Sequence, residues 1–173
     1  MQQLTATIAQ SEEDARRLQE LGAAQVVVCG NIKYDVDPPK KMLELGDSFR
    51  ARVGKRHVFV CASTRSGEER LILQSWIKKR KPACLLVLIP RHPERFAEVS
   101  QLVLDHGLVL QCRTDNHVVK PTTDVWLGDS MGELFAYYQA ANIVFVGGSL
   151  QPLGSHSLIE PAAVGRPIIL GPS

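Results

Sequence analysis

The chain has 173 residues, of which 45% are hydrophobic, 22% charged and 6% aromatic, proportions that exclude disordered, collagen-like and low-complexity proteins. A net charge of +2 argues against a dedicated nucleic-acid-binding protein, and no apolar run approaches the ~20 residues of a membrane-spanning helix. The first ten residues lack the basic start and apolar core of a secretory signal, so the sequence predicts a soluble, core-forming chain.

Basic residues are concentrated in one segment of the chain. Between Arg50 and Arg95, twelve Lys and Arg side chains stand against three acids, a net charge of +9. A solvated helix end explains part of this excess, whereas Arg65, Arg91 and Arg95 each follow an apolar run by a few residues. A cationic face that orients the protein on an anionic membrane is a second interpretation of the same segment.

The cysteines do not form a metal or disulfide framework. None belongs to a CxxC pair, and no histidine lies at a zinc-finger spacing from any of them. Each lies in or at the end of an apolar run, where a free cysteine behaves as a small buried hydrophobe, and this predicts a reducing compartment and no bound metal. The four are Cys29, Cys61, Cys84 and Cys112.

Short apolar runs alternate with stretches of helical period along the whole chain. The predicted strands are Gln25–Cys29, His57–Cys61, Ala83–Ile89, Leu108–Gln111, Thr123–Leu127, Asn142–Val146 and Pro167–Leu170. The predicted helices are Glu12–Leu21, Lys41–Val53, Gly67–Lys79, Pro93–His106, Met131–Ala141 and Ser157–Gly165. The strands are continuously apolar, which is typical of strands buried on both faces, so we expect a doubly wound parallel α/β sheet.

The junctions that follow the strands carry most of the Gly, Ser and Arg residues without an obvious structural role. Ligands of such sheets collect where strand C-termini lead into helices, and a Gly- and Ser-rich junction offers free backbone N–H groups to an anion. These junctions therefore predict a phosphate or nucleotide site, although there is neither a GxGxxG fingerprint nor a P-loop. Each junction also has a purely structural explanation: Gly132 and Gly147-Gly148 can serve tight turns, His92 a helix start and Glu160 a solvated first turn.

Six segments, taken in order, resemble one enzyme family, the 3-deoxy-D-manno-octulosonic acid (Kdo) transferases of lipopolysaccharide assembly. The resemblance extends from about residue 9 to the end of the chain. The segments are AQSEEDARRLQELGA (9–23), GNIKYD (30–35), ASTRSGEE (62–69), LIPRHPERF (88–96), GDSMGELFAYYQAANIVFVGGSL (128–150) and HSLIEPAAVGRPIILGP (156–172).

The resemblance implies the C-terminal, donor-binding half of a GT-B glycosyltransferase with Rossmann-like halves. Such an enzyme transfers Kdo from CMP-Kdo to a lipid A precursor at the cytoplasmic face of the Gram-negative inner membrane, and needs no cofactor or metal. The implied division is residues 1–30 as the end of the acceptor-side domain, 31–55 as linker and first helix, and 56–173 as a donor domain truncated at its C-terminus. The acceptor-binding domain, its catalytic acid and its membrane-associating segment would lie upstream, so we expect the isolated chain to be inactive.

The resemblance also implies the donor site. The residues that match CMP-contacting motifs are Pro90, Arg91, Met131, Gly132, Glu133, Ser157, Leu158, Ile159 and Glu160. Those that match only the neighbourhood of the donor are Lys33, Ser63, His92, Gly148, Ser149 and His156. Arg91 and helix N-termini near residues 149 and 157 would neutralise the charge on the departing CMP.

One position departs from the family pattern, which usually has Asn where this chain has Ser157. The serine hydroxyl still allows a helix cap or a phosphate contact, but the paired donor and acceptor of the amide are lost. Two other functions stay open: a sugar-nucleotide enzyme of the same fold, such as a UDP-sugar transferase or a 2-epimerase, and a non-catalytic nucleotide-binding module.

Overall fold

The computed structural model describes residues 4–79, 81, 83–152 and 154–173. The chain divides into two compact units, Met1–Val36 and Asp37–Ser173. The division predicted at residues 30 and 55 concerns the roles of the segments, and it stays a prediction.

The first unit is a small β–α–β arrangement. Strand β1 (Thr7–Ala9) pairs in parallel with β2 (Val26–Val28), and helix α1 (Glu12–Glu20) connects them. Ser11 caps the start of α1, because its hydroxyl accepts the backbone N–H of Asp14 at 3.1 Å. A short 3-10 turn, Ile32–Tyr34, follows β2.

The second unit contains a six-stranded parallel sheet, and each of its strands overlaps one of the predicted apolar runs. The strands occur in the order β5-β6-β4-β3-β7-β8 across the sheet. Their bounds are His57–Thr64 (β3), Cys84–Pro90 (β4), Leu110–Cys112 (β5), Val125–Leu127 (β6), Ile143–Val146 (β7) and Ile168–Ile169 (β8).

Helices cover both faces of this sheet, which confirms the doubly wound α/β fold. Along β4, Leu85, Val87 and Ile89 join a core with α2, α5 and the residues that flank α6, whereas Leu86 and Leu88 join a second core with α3 and α4. Successive side chains of a strand point to opposite faces, so a continuously apolar run fills both cores at once. The helices are Lys40–Val53 (α2), Glu68–Lys79 (α3), Phe96–Asp105 (α4), Leu134–Ala140 (α5) and Ile159–Ala163 (α6).

Four predicted helix starts differ from the structure by two or more residues, and one of them is that of α6, which begins at Ile159 rather than at Ser157. Pro93–Arg95 forms a 3-10 turn before α4 begins. Helix α5 begins at Leu134 rather than at residue 131, because Gly132 has φ +78°, outside the helical region. The helix start expected near residue 149 was wrong: residues 147–152 form successive turns. Across the described residues, no helix combines the length and apolar character needed to span a membrane.

Candidate functional site

A cavity of about 370 Å³ opens at the carboxyl edge of the second unit's sheet, where we predicted the ligand site. It brings together six of the predicted residues from four separate segments of the chain. Its lining residues are Ser63, Ile89, Pro90, Arg91, Ser130, Met131, Gly132, Leu134, Phe135 and Glu160.

Arg91 and Glu160 supply the charges of this cavity. Arg91 directly follows β4, and its backbone N–H donates to the carbonyl of Thr64 at 3.0 Å, which ties it to the end of the neighbouring strand β3. Glu160 lies in the first turn of α6, where burial raises the pKa of its carboxyl group and the charge of Arg91 opposes that rise. The cavity therefore presents one cation and one half-buried carboxyl group to a ligand.

Ser63, near the end of β3, lines the cavity in a strained backbone conformation. It has φ +55°, a left-handed conformation that costs a non-glycine residue about 1–2 kcal/mol, and the β3–β4 register shifts between Ala62 and Thr64. Gly147, at the end of β7, makes the arrangement possible, since a Cβ there would lie 2.4 Å from the Ser63 carbonyl oxygen. Strain of this kind clusters at functional sites, and Ser63 lines the cavity.

The loop after β6 is fixed by the loop after β5. The backbone N–H of Thr114 donates to Asp129 Oδ1 at 2.9 Å, and the Arg113 guanidinium donates to Glu133 Oε1 at 3.0 Å. Glu133 also accepts a hydrogen bond from the Ser130 hydroxyl. Glu133, predicted to contact the donor, is thus engaged with Arg113 and is not among the lining residues, whereas its neighbours Met131 and Gly132 are.

An internal carboxylate occupies backbone amides that we expected to be free for an anion. Glu68 is fully buried, and it accepts the N–H groups of Gly148 at 2.8 Å and Leu150 at 2.9 Å. It also accepts the N–H of Arg65 at 2.8 Å. Ser149 is buried too, and its hydroxyl donates to the Val146 carbonyl at 2.8 Å. The amides of Gly148 and Leu150 in this Gly- and Ser-rich junction are therefore not free for an anion, because Glu68 accepts both.

The remaining predicted residues lie outside the cavity lining. The Ser157 hydroxyl accepts the N–H of Ile159, the first residue of α6, at 3.3 Å, and Leu158 is the N-cap residue of that helix and packs against the core. His92 is half-exposed, with Nδ1 3.8 Å from a Glu94 carboxylate oxygen. His156 Nε2 accepts a hydrogen bond from Arg65 Nε at 3.2 Å.

Lys33 belongs to the 3-10 turn of the first unit, where its backbone N–H donates to Asn31 Oδ1 at 3.0 Å. Its part in donor binding stays a prediction.

A second, larger cavity does not suit a charged nucleotide. It occupies about 470 Å³ between α3 and the β3, β7 and β8 strands, and its lining is mainly apolar, including Phe59, Trp76 and Phe145. Among the described parts of the chain, no group of three or more His, Cys, Asp and Glu side chains is arranged to hold a metal ion.

Some residues that build the site were missed by sequence reasoning. Ser130 and Phe135 line the cavity within the segment that resembled the family, so their omission was avoidable. The roles of Arg113 and Glu68 could not be predicted from the sequence, because each depends on a contact that forms only in the folded chain. Arg113 is 20 residues from its partner Glu133, and Glu68 is 80 residues from Gly148.

Comparisons with known proteins identify relatives of this chain. A family model described as 3-deoxy-D-manno-octulosonic-acid transferase (kdotransferase) matches residues 1–36. Proteins named 3-deoxy-D-manno-octulosonic acid transferase from Bordetella pertussis and Haemophilus influenzae are each 38% identical to this chain over 98% of its length. The crystal structure of the C-terminal CMP-Kdo binding domain of WaaA from Acinetobacter baumannii matches with a TM-score of 0.71 and 31% identity, over 78% of this chain and 72% of that domain.

The chain belongs to the Kdo transferase family. It spans about 41% of the length of the two named relatives, which are transferases by name. The match to the solved domain supports the fold expected of this family, with parallel strands flanked by helices.

Proposed function

We propose that this chain is the donor-binding part of a Kdo transferase and that CMP-Kdo binds in the 370 Å³ cavity at the carboxyl edge of the sheet. The observation that carries the proposal is the convergence of Arg91, Glu160 and Gly132 in one cavity of a chain that matches a CMP-Kdo binding domain. In the whole enzyme, the acceptor would be a lipid A precursor bound by the part of the protein that precedes this chain. The whole enzyme would work at the cytoplasmic face of a Gram-negative inner membrane.

Arg91 is suited to the phosphate of the donor. Its guanidinium can donate two parallel hydrogen bonds to phosphate oxygens, and no carboxylate lies within ion-pair distance of it among the described residues. When the bond to the sugar breaks, negative charge grows on the departing CMP, and a cation already in place stabilises that charge. The side chain of Arg91 alone can supply this stabilisation of the departing CMP.

Glu160 and the loop after β6 are suited to the nucleoside. A carboxylate accepts hydrogen bonds from both hydroxyls of a ribose, as acidic residues do in other nucleotide-binding α/β sheets. Gly132 has no side chain and φ +78°, so backbone groups of the loop can approach the ribose or the base closely. Met131 is 60% exposed at the same rim and offers an apolar surface to the pyrimidine ring.

Calorimetric titration of the chain with CMP tests the proposal. We expect Arg91→Met to raise the Kd for CMP about 10- to 100-fold, since a charge-assisted hydrogen-bonded pair contributes about 1.5–3 kcal/mol. Glu160→Gln should weaken binding by a smaller factor, because the amide oxygen still accepts one hydroxyl. Arg70→Met, which removes an exposed cation of α3 outside the cavity, is the matched control and should leave the Kd unchanged.

Other outcomes contradict the proposal in distinct ways. Preference for UDP or UDP-sugars over CMP would identify a different sugar-nucleotide enzyme of the same fold. Tight CMP binding that survives both substitutions would place the donor elsewhere on the chain. No binding of any nucleotide at millimolar concentration would contradict the donor-binding function itself.

A further inference from the structure

A second arginine, Arg65, lies beside Arg91 at the same edge of the sheet. Thr64 in strand β3 is the register partner of Pro90 in strand β4. Arg65 directly follows Thr64, and Arg91 directly follows Pro90. Neighbouring strands lie about 4.8 Å apart, and the Arg91 N–H to Thr64 carbonyl bond keeps the two chain segments together beyond the paired residues. The two arginines therefore leave the sheet from adjacent backbone positions; Arg91 lines the cavity, and Arg65 lies next to it outside the lining residues.

Contacts on both sides hold Arg65 without cancelling its charge. Its backbone N–H donates to Glu68 Oε2 at 2.8 Å, and its side-chain Nε donates to His156 Nε2 at 3.2 Å. Since Nε2 accepts this bond, the imidazole is neutral, and burial together with the charges of Arg65 and Arg91 lowers the pKa of His156. A neutral histidine orients the guanidinium while leaving its two terminal nitrogens for another partner.

Arg65 and Arg91 differ in this respect from two other arginines of the unit. Arg95 pairs with the buried Glu69 at 2.7 Å, and Arg113 pairs with Glu133 at 3.0 Å. Within residues 4–79, 81, 83–152 and 154–173, neither Arg65 nor Arg91 has a carboxylate within ion-pair distance. Two adjacent cations that form no ion pair repel each other, and a ligand with two neighbouring anionic groups would relieve that repulsion.

We infer that Arg65 binds the carboxylate of the donor's sugar while Arg91 binds its phosphate, an inference that rests on the proposed function. Kdo is an acid whose carboxylate is attached to the anomeric carbon, the carbon that also carries the phosphoester oxygen of CMP-Kdo. The two anions of the donor are therefore separated only by that carbon and one oxygen atom. Adjacent guanidinium groups, each able to donate two hydrogen bonds to a pair of oxygens, match this arrangement.

This role makes Arg65 a determinant of sugar selectivity. A nucleotide whose sugar lacks an acid places no charge opposite Arg65, so the guanidinium loses its hydration without gaining a partner. The donor is then selected by its sugar as well as by its nucleoside. His156 is a positioning residue in this arrangement, because it contacts the guanidinium and acts on the ligand through it.

Calorimetric titrations of the chain with CMP and with freshly prepared CMP-Kdo test the inference. We expect the unsubstituted chain to bind CMP-Kdo at least tenfold more tightly than CMP. Arg65→Met should remove about tenfold of the affinity for CMP-Kdo while changing the Kd for CMP by less than twofold. Arg65→Lys should lose less affinity for CMP-Kdo than Arg65→Met, because lysine keeps the positive charge but not the planar guanidinium that donates two parallel hydrogen bonds. Arg70→Met serves as the control for the removal of a cation and should change neither Kd.

Each contrary result has a separate meaning. Equal losses for CMP and CMP-Kdo in Arg65→Met would assign Arg65 to the phosphate and overturn the inference. Unchanged affinity for both would also overturn it, as would equal affinity of the unsubstituted chain for CMP and CMP-Kdo. Failure of the unsubstituted chain to bind either compound would instead contradict the proposed function. Circular dichroism of every variant establishes that the fold is intact before the constants are compared.

Discussion

The buried carboxylate of Glu68 gives a sharp test of how the carboxyl edge is built. In Glu68→Gln the side chain keeps its shape but loses its charge. The oxygen that accepts the N–H groups of Arg65 and Gly148, both at 2.8 Å, can be replaced by the amide oxygen, whereas the N–H of Leu150 would face an NH₂ group. Two hydrogen bonds are weakened and one buried donor loses its acceptor.

The magnitude follows from these three bonds. Hydrogen bonds to a charged group contribute about 1.5–3 kcal/mol and neutral ones about 0.5–1.5 kcal/mol, while a buried donor without a partner costs about 1–3 kcal/mol. The neutral amide is easier to bury than the carboxylate, which offsets part of the loss. We expect Glu68→Gln to lower the free energy of unfolding by about 2–4 kcal/mol, a large share of the ~5–15 kcal/mol typical of a whole domain.

Urea denaturation followed by circular dichroism measures this change. Glu94→Gln is the matched control, because Glu94 is 73% exposed and its contact with His92, at 3.8 Å, is a surface pair that contributes at most about 1 kcal/mol. A loss below 0.5 kcal/mol in Glu68→Gln, with an unchanged denaturant slope, would refute the assignment of Glu68 as the acceptor that joins the β3 and β7 junctions.

Two further predictions concern other parts of the chain. Arg113→Met should lower the free energy of unfolding by about 1–3 kcal/mol, because it leaves the mostly buried Glu133 without its ion pair. A double-mutant cycle with Glu133→Gln should show at least ~0.5 kcal/mol of coupling energy between the two residues, and additive losses would contradict the pairing. A thiol reagent at pH 8 should label Cys29 first, because it is the exposed thiol, whereas Cys61 is buried and Cys84 only partly exposed. Burial also raises the pKa of Cys112 to about 11, which leaves only about 0.1% of that thiol as thiolate. Cys29→Ser should abolish the fast phase of labelling, and a fast phase that persists would contradict this order.

The sheet was predictable because its signal is local. The run at Cys84–Pro90 is apolar without interruption, and this pattern is typical of a strand buried on both faces, because its side chains alternate between two cores. The end of such a run also fixes the position of the residue that follows it. Arg91 could therefore be placed at the carboxyl edge before the contacts of its side chain were known.

Parts of the site were not predictable, because they depend on residues distant in sequence. Glu68 in the first turn of a helix has an ordinary local explanation as a charge near the helix N-terminus, and nothing nearby in the sequence indicates the amides of Gly148 and Leu150. The positive φ of Ser63 likewise arises where the chain passes Gly147, since serine has no intrinsic preference for that conformation.

The two acids of α3 explain why an anion would bind to side chains rather than to backbone at this edge. Glu68 and Glu69 are both fully buried; Glu68 satisfies the amides after β7, and Glu69 neutralises Arg95. A phosphate in the turn after β7 would have to displace an internal carboxylate that already accepts three N–H groups. Neither Arg65 nor Arg91 forms an ion pair among the described residues, so these two side chains at the carboxyl edge are available to the anionic groups of a ligand, while Glu160 in the cavity of Arg91 is placed for its hydroxyl groups.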